Sequence, residues 1–438
     1  MIQLQTLLSI FGSGGTKVLS ILIAILFFGL IIFIHELGHF LFAKLFKVKV
    51  NEFALGMGPT IFKKQGKETV YALRLFPIGG FVSMEGEDEN SEDEGAFCKK
   101  AVWKRMIITA AGAVFNIILG IIICCFILGT SQDIGTTQIS GFYEGAVSNS
   151  ENGLQLDDRI VEIDGKHVYC DYDISFLMQR NTTGKYNFVV SRNGEKVTLP
   201  EVEFLRRTGG NFAFDESNVI SSLSAKIKKA GLEDGDKIIK VNGVAVNTNA
   251  ELSKEIGKDT DYTIDFTVIR NQGEVEVKNV TMATVTVFDF TVYPGVKGFS
   301  TVVGGGFKYA LSMSRMVYLS LFDLITGKYG LNELAGPVGT VSVIADIAES
   351  SAQSADWSQL FTIMALITIN IGLFNLLPVP ALDGGRLFFM LIEIIFRKPV
   401  PQKYEGWIHA AGLVILLGFM LIISASDIWK LISGRGFY

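Results

Sequence analysis

Four long apolar runs constrain this chain more than any other feature. Val18–Ile34, Met106–Thr130 and Trp357–Leu382 carry no charged residue, and Gly406–Ser426 holds a single titratable one, His409. A hydrocarbon core of roughly 30 Å takes about 20 apolar residues in helical form, so each run has the reach of a transmembrane helix. The first run lacks a basic leading region and a small-residue cleavage site, which favours a retained helix over a signal peptide. Eleven Lys and Arg lie between Lys44 and Arg105, and Arg386, Arg397, Lys398 and Lys403 follow the third run, whereas Ser131 to Asn149 has none. By the positive-inside rule those two basic loops face the cytoplasm. The N-terminus, the long segment between runs two and three, and the C-terminus are then outside.

That long segment has a different character. Residues 131–300 hold 43 of the 83 charged residues, the density of an ordinary soluble domain. The remainder is too poor in charge for a soluble enzyme, and a net charge of −5 without a basic face gives no nucleic-acid partner. Cys98, Cys124, Cys125 and Cys170 have no zinc-finger spacing, and two are neighbours in an apolar run, so no disulfide framework is expected.

Within the segment a repeat recurs at an offset of 78 positions: Asn152–Val168 aligns with Ala230–Val246. Each copy reads as a turn, a strand of branched residues and an Asp-Gly or Asn-Gly hairpin turn. A helix-like stretch follows, then strands such as Tyr186–Ser191 and Thr263–Arg270. The run G-L-x-x-x-D-x-I-x-x-I-x-G resembles PDZ domains. That resemblance implies two α/β domains, 131–208 and 209–298, able to bind extended peptides around free C-termini, or else to serve as spacers or size filters.

The chemistry gathers at the end of the first run, in His35-Glu36-Leu37-Gly38-His39. Histidines at i and i+4 project from one helix face, the spacing at which both imidazoles ligate one Zn²⁺ with the glutamate beside them as general base. With four histidines in the chain the motif is expected by chance about 0.002 times. Such groups in or beside a bilayer helix are also costly without a function. A zinc hydrolase needs a third protein ligand, and Asp383 is the candidate, after Asn375-Leu-Leu-Pro378-Val-Pro380-Ala-Leu. Its alternative is a plain helix-end carboxylate before Gly384-Gly385. Runs one and three cross in the same direction, so both motifs reach the cytoplasmic side. Asn375, two helical turns before Asp383, is placed to hold a substrate backbone or an oxyanion, or else to make an interhelical hydrogen bond.

Together the two motifs resemble the site-2 protease family of intramembrane zinc metalloproteases, and with the inserted repeat they resemble its regulator-of-sigma-E protease branch. Phe76–Val82, Gly56–Pro59 and Ala335–Gly339 extend the likeness over nearly the whole chain. One departure is visible: the family's Gly-Pro opening the second span is Gly112-Ala113 here, which alters a local bend and leaves the proposed ligands untouched. The resemblance implies that His35, His39 and Asp383 bind Zn²⁺ and that Glu36 activates its water. It also implies that a membrane-associated hairpin over Val70–Met84, with Gly79, Gly80 and Phe81, pairs with an unwound substrate.

The expected fold class is a multi-pass α-helical membrane protein with four transmembrane helices and two inserted PDZ-like α/β domains. Its divisions are 1–130, 131–208, 209–298, an amphipathic connector 299–355, and 356–438. The expected activity is site-2 cleavage of single-span membrane proteins, of anti-sigma-factor type or remnant signal peptides, already shortened by a site-1 protease. The implied setting is a bacterial inner or plasma membrane, with the lipid bilayer as partner, the active site toward the cytoplasm and the insert outside. A catalytically idle PDZ-bearing scaffold or peptide-binding sensor is the alternative, and a zinc transporter is weaker because no second metal site is visible. His409 reads as a structural contact, His167 lies in the insert, and the acidic Glu85–Glu94 stretch reads as a solvated loop.

Overall fold

The computed structural model describes residues 2–87, 89, 91–181, 183–208, 212–215, 217–223, 227–228, 230–258, 262–282, 284–327, 336–354 and 356–432. Ala335 of the Ala335–Gly339 motif, and Asp88 and Asn90 of the acidic loop, lie outside the described residues. The chain opens with α1 (Ile2–Leu45), β1 (Val50–Gln65), β2 (Val70–Met84) and α2 (Val102–Thr130). The insert follows with β3 (Ile134–Phe142), β4 (Arg159–Ile163), β5 (Lys166–His167), α3 (Asp171–Arg180), β6 (Lys185–Arg192), β7 (Glu195–Glu203) and β8 (Arg206–Thr208). It continues with β9 (Phe212–Phe214), β10 (Ile220–Leu223), β11 (Lys237–Val241), β12 (Val244–Ala245), α4 (Asn249–Lys258), β13 (Thr263–Arg270), β14 (Gly273–Thr281), β15 (Thr284–Thr286) and β16 (Phe290–Gly295). Five helices close the chain: α5 (Phe299–Ile325), α6 (Pro337–Ser354), α7 (Ser358–Leu376), α8 (Asp383–Phe396) and α9 (Gln402–Ile432).

The chain forms two compact units, one of Met1–Asp133 with Val296–Ile428, the other of Ile134–Gly295 with Trp429–Tyr438. In the first, four helices among the described residues are long and apolar enough to cross a membrane: Leu22–Leu45, Val102–Thr130, Ser358–Leu376 and Lys403–Trp429. They overlap the four apolar runs, the first reaching on past Ile34 to Leu45 and the third ending at Leu376, short of Leu382. Small residues let them approach closely. A Cβ on Gly372 of α7 would stand 2.8 Å from the Ala113 carbonyl oxygen of α2, and one on Gly120 would overlap Ile369. Where the family carries proline, Ala113 is fully buried and α2 runs unbroken. One core joins Ala24, Phe27 and Ile31 of α1 to Ile344, Ala348 and Leu360. A second joins Ala43, Phe53, Val82, Ile108 and Met390, and so seats the β1–β2 hairpin on α1, α2 and α8. The hairpin is irregular: Ala54 faces Phe81 on one side and Ala72 on the other, so the start of β1 lies between two halves of β2. α5 is amphipathic, with Gly306, Ala310 and Met313 inward and Phe307, Leu311 and Phe322 exposed.

The second unit repeats itself at the same 78-residue offset as the sequence, element for element from β4/β11 through β8/β15. Asp164-Gly165 and Asn242-Gly243 both have φ positive at each residue, the tight hairpin turn their sequence specifies. Tyr186, Phe188 and Val190 fill one lobe where Ile264, Phe266 and Val268 fill the other. The two equivalent short strands β8 and β15 pair with each other. The first sheet runs β16-β3-β4-β6-β7 with β5 beside β4, and the second runs β12-β11-β13-β14. β16, from the far end of the 209–298 segment, therefore joins the first sheet through β3. The sequence boundary at residue 208 does not separate the sheets, because β16, beyond the second repeat, pairs with β3, ahead of the first.

Candidate metal centre

His35, Glu36 and His39 lie near the C-terminal end of α1, and the i, i+4 spacing stacks the two imidazoles edge to face with centroids 4.8 Å apart. Asp383 is the first residue of α8. Its Oδ2 lies 3.2 Å from His35 Nε2 and 3.3 Å from His39 Nε2, and the two Nε2 atoms are 3.2 Å apart. Each histidine is held by its other nitrogen. His39 Nδ1 donates to the Ile108 carbonyl at 2.9 Å, and His35 Nδ1 lies 3.4 Å from the Asn116 amide. A neutral His39 donating through Nδ1 presents a lone pair at Nε2.

Three potential ligand atoms thus converge on one point, and Asp383 Oδ2 is buried without satisfactory hydrogen-bond geometry to any partner. Converging acceptors repel unless a cation lies between them. Bonds of about 2.0–2.1 Å in a tetrahedron put neighbouring donor atoms about 3.3 Å apart, and the three observed separations are 3.2, 3.2 and 3.3 Å. The donor set fits zinc, with two imidazoles, one carboxylate and a position left over.

The surroundings set this geometry. α2 meets α1 at Gly38 and Gly112: a Cβ on Gly38 would stand 2.5 Å from the Ala111 carbonyl oxygen, and one on Gly112 would overlap the His39 ring. Ile108, Gly112 and Asn116 follow at four-residue intervals, so one face of α2 supplies a carbonyl, a gap and an amide to the two histidines. The Pro378–Leu382 loop delivers Asp383. Ala381 has φ 76°, and its amide donates to His409 Nδ1 at 3.0 Å. Arg386 pairs with Glu87, and Arg105 with Glu393 at 2.6 Å, fixing α8 to the hairpin exit and to α2.

The family model for peptidase family M50 matches residues 23–419. The chain belongs to peptidase family M50. A protein of Fusobacterium nucleatum named as a candidate zinc metalloprotease is 33% identical over 421 residues, 95% of this chain and 100% of that relative. The zinc metalloprotease RasP of Geobacillus kaustophilus is 31% identical over 448 residues, 94% of this chain and 98% of its own. This M50 protein is a zinc metalloprotease.

In the M50 fold His35, His39 and Asp383 come together, and Glu36 adjoins them. Gly80 of β2 lies against Glu36, since a Cβ there would stand 3.0 Å from Glu36 Cγ. Among the described residues the Gly80–Ser83 stretch pairs with β1 alone, which leaves its other edge open. Gly79 has φ 80°, and Phe81 stacks under the Arg74 guanidinium at 4.8 Å. Asn375 is half-buried in the last turn of α7, and its side chain hydrogen-bonds none of the described residues. Gly112, Asn116 and His409 were not assigned to the centre from sequence. The available signal was a glycine and an asparagine one turn apart in an otherwise apolar span.

Proposed function

We propose that this M50 protease is a membrane-embedded endopeptidase that makes the site-2 cut in single-span membrane proteins already shortened by another protease. The observation that carries this reading is the His35–His39–Asp383 cluster at the end of an apolar helix with the reach of a membrane span. The basic loops favour a cytoplasmic active site in a bacterial cell membrane, with the insert outside. Anti-sigma-factor-type proteins and remnant signal peptides are the substrate classes that fit such a topology.

His35, His39 and Asp383 would hold the zinc. Bound there, the metal supplies a Lewis acid that acidifies water and polarises a peptide carbonyl. Glu36 takes the proton from the attacking water and passes it to the leaving amine. A helix conceals its carbonyls in its own hydrogen bonds, so the substrate arrives as a strand, and the open Gly79–Phe81 edge beside Glu36 suits strand addition. Asn375, with unspent hydrogen-bonding capacity, is assigned to the substrate backbone. The repeated lobes are read as PDZ-like domains that bind new C-termini or exclude bulky ectodomains.

The test uses purified protein, its zinc content and a transmembrane substrate. Glu36→Gln keeps zinc and loses cleavage on this reading. Equal cleavage by variant and parent would remove Glu36 from the mechanism.

A further inference from the structure

The carboxylate of Asp383 reaches the two histidines only because the chain turns sharply just before it. Ala381, two residues upstream, has φ 76°. That is a left-handed conformation which a residue bearing a Cβ adopts only when its surroundings impose it. The surroundings here belong to α9. His409 Nδ1 accepts the Ala381 N–H at 3.0 Å. Gly412, one turn further, is so placed that a Cβ would overlap Pro380. On the other side, a Cβ on Gly385 would stand 3.1 Å from His409 Cε1, and the Phe389 ring lies 5.7 Å from the imidazole. The imidazole is thus wedged between the loop before Asp383 and the helix that Asp383 begins.

We propose that His409 is a positioning residue of the metal centre: its Nδ1 lone pair holds the Ala381 amide and so sets the left-handed turn that delivers the Asp383 carboxylate. The proposal rests on the reading of Asp383 as a zinc ligand. An Nδ1 that accepts carries its proton on Nε2, where Glu405 Oε1 lies 4.0 Å away. His409 makes no demand on the metal. It acts through one backbone amide.

Side-chain shape gives the test its discrimination. Asparagine puts an acceptor oxygen near the position of Nδ1, whereas glutamine puts its terminal atoms near Nε2. Zinc affinity of the purified full chain is measured by competition with a chromophoric chelator for the parent, Asp383→Ala, His409→Ala, His409→Asn and His409→Gln. Asp383→Ala is expected to abolish tight binding. His409→Ala and His409→Gln are expected to weaken it by about tenfold or more, with cleavage recovering in excess zinc, while His409→Asn stays within about threefold of the parent. If His409→Ala does not fold, the Asn and Gln pair carries the comparison alone. Equal affinity in the Asn and Gln variants, or parental affinity in His409→Ala, overturns the proposal. Retained tight zinc in Asp383→Ala would instead overturn the ligand reading beneath it.

Discussion

Gly112 of α2 lies against the imidazole of His39 so closely that a single added methyl would overlap Nε2. The ring cannot retreat, because its other nitrogen is tied to the Ile108 carbonyl on the same helix at 2.9 Å. Gly112→Ala should therefore separate two effects that usually travel together. Alanine is favoured over glycine in a helix by about 1 kcal/mol, so α2 itself gains stability. Zinc affinity should nonetheless fall by about tenfold or more as His39, a proposed ligand, is displaced. Gly129→Ala in the same helix, where the nearest atom is 3.9 Å from the added Cβ, should leave zinc unchanged. Metal retained after dialysis against a chelator distinguishes the two variants.

Asn116 is placed to set the tautomer of His35. Its Oδ1 is buried and unpartnered while its Nδ2 lies 3.4 Å from Nδ1, and turning the amide over resolves both, with Oδ1 accepting Nδ1–H. The His35 Nε2 lone pair then faces the metal position, as that of His39 does. Asn116→Asp keeps an acceptor and should stay near parental zinc affinity, whereas Asn116→Leu should lose about 10–100-fold. If leucine at this position left zinc binding intact, Asn116 would have no part in orienting the ring.

Gly80 offers a variant of the opposite kind. Its added Cβ meets Glu36 Cγ at 3.0 Å, the Ala54 carbonyl oxygen at 3.1 Å and Ile32 Cγ2 at 3.1 Å, none of them a metal ligand. Gly80→Val should press Glu36, the proposed general base, and the strand edge apart, lowering kcat by about 10²-fold for a misplacement near 1 Å, with zinc content unchanged. Steady-state cleavage of a transmembrane substrate, run beside metal analysis, reads both. A parallel loss of zinc would mean that the strand supports the metal centre rather than the base.

The parts of this site legible in sequence are those governed by helical period. His35, Glu36 and His39 are fixed by their spacing on one helix, and the four long apolar helices by the length of uncharged runs. The 78-residue repeat likewise returned as repeated elements because its Asp-Gly and Asn-Gly turns and alternating strands are local signals. What stayed hidden depends on contacts between distant segments. Ile108, Gly112 and Asn116 look like ordinary span residues until α2 is laid on α1. The role of His409 depends on a backbone amide 28 positions away. The strand β16 pairs with β3 across about 150 residues, and nothing local to Phe290–Gly295 specifies that partner.

Each lobe of the insert holds an Arg–Asp ion pair with a buried carboxylate, which can be tested without reference to catalysis. Arg192 forks onto Asp158 with both contacts at 2.8 Å and also donates to the Gly153 carbonyl at 3.0 Å. Arg270 repeats this with Asp236 and Gly231. Asp158 is fully buried, so Arg192→Met leaves an uncompensated carboxylate, a loss of about 3–5 kcal/mol. A reporter is built into the same lobe. Cys170, at the start of α3, is buried, and burial foremost, with the Asp173 carboxylate adding to it, pushes its thiol up to about 12. Near pH 8 the folded lobe therefore offers almost no thiolate, and labelling waits on opening. Site-resolved mass spectrometry of maleimide uptake should show Cys170 labelled about 10²–10⁴ times faster in Arg192→Met than in the parent. Unchanged labelling would mean that the Arg192–Asp158 pair contributes nothing to the stability of that lobe.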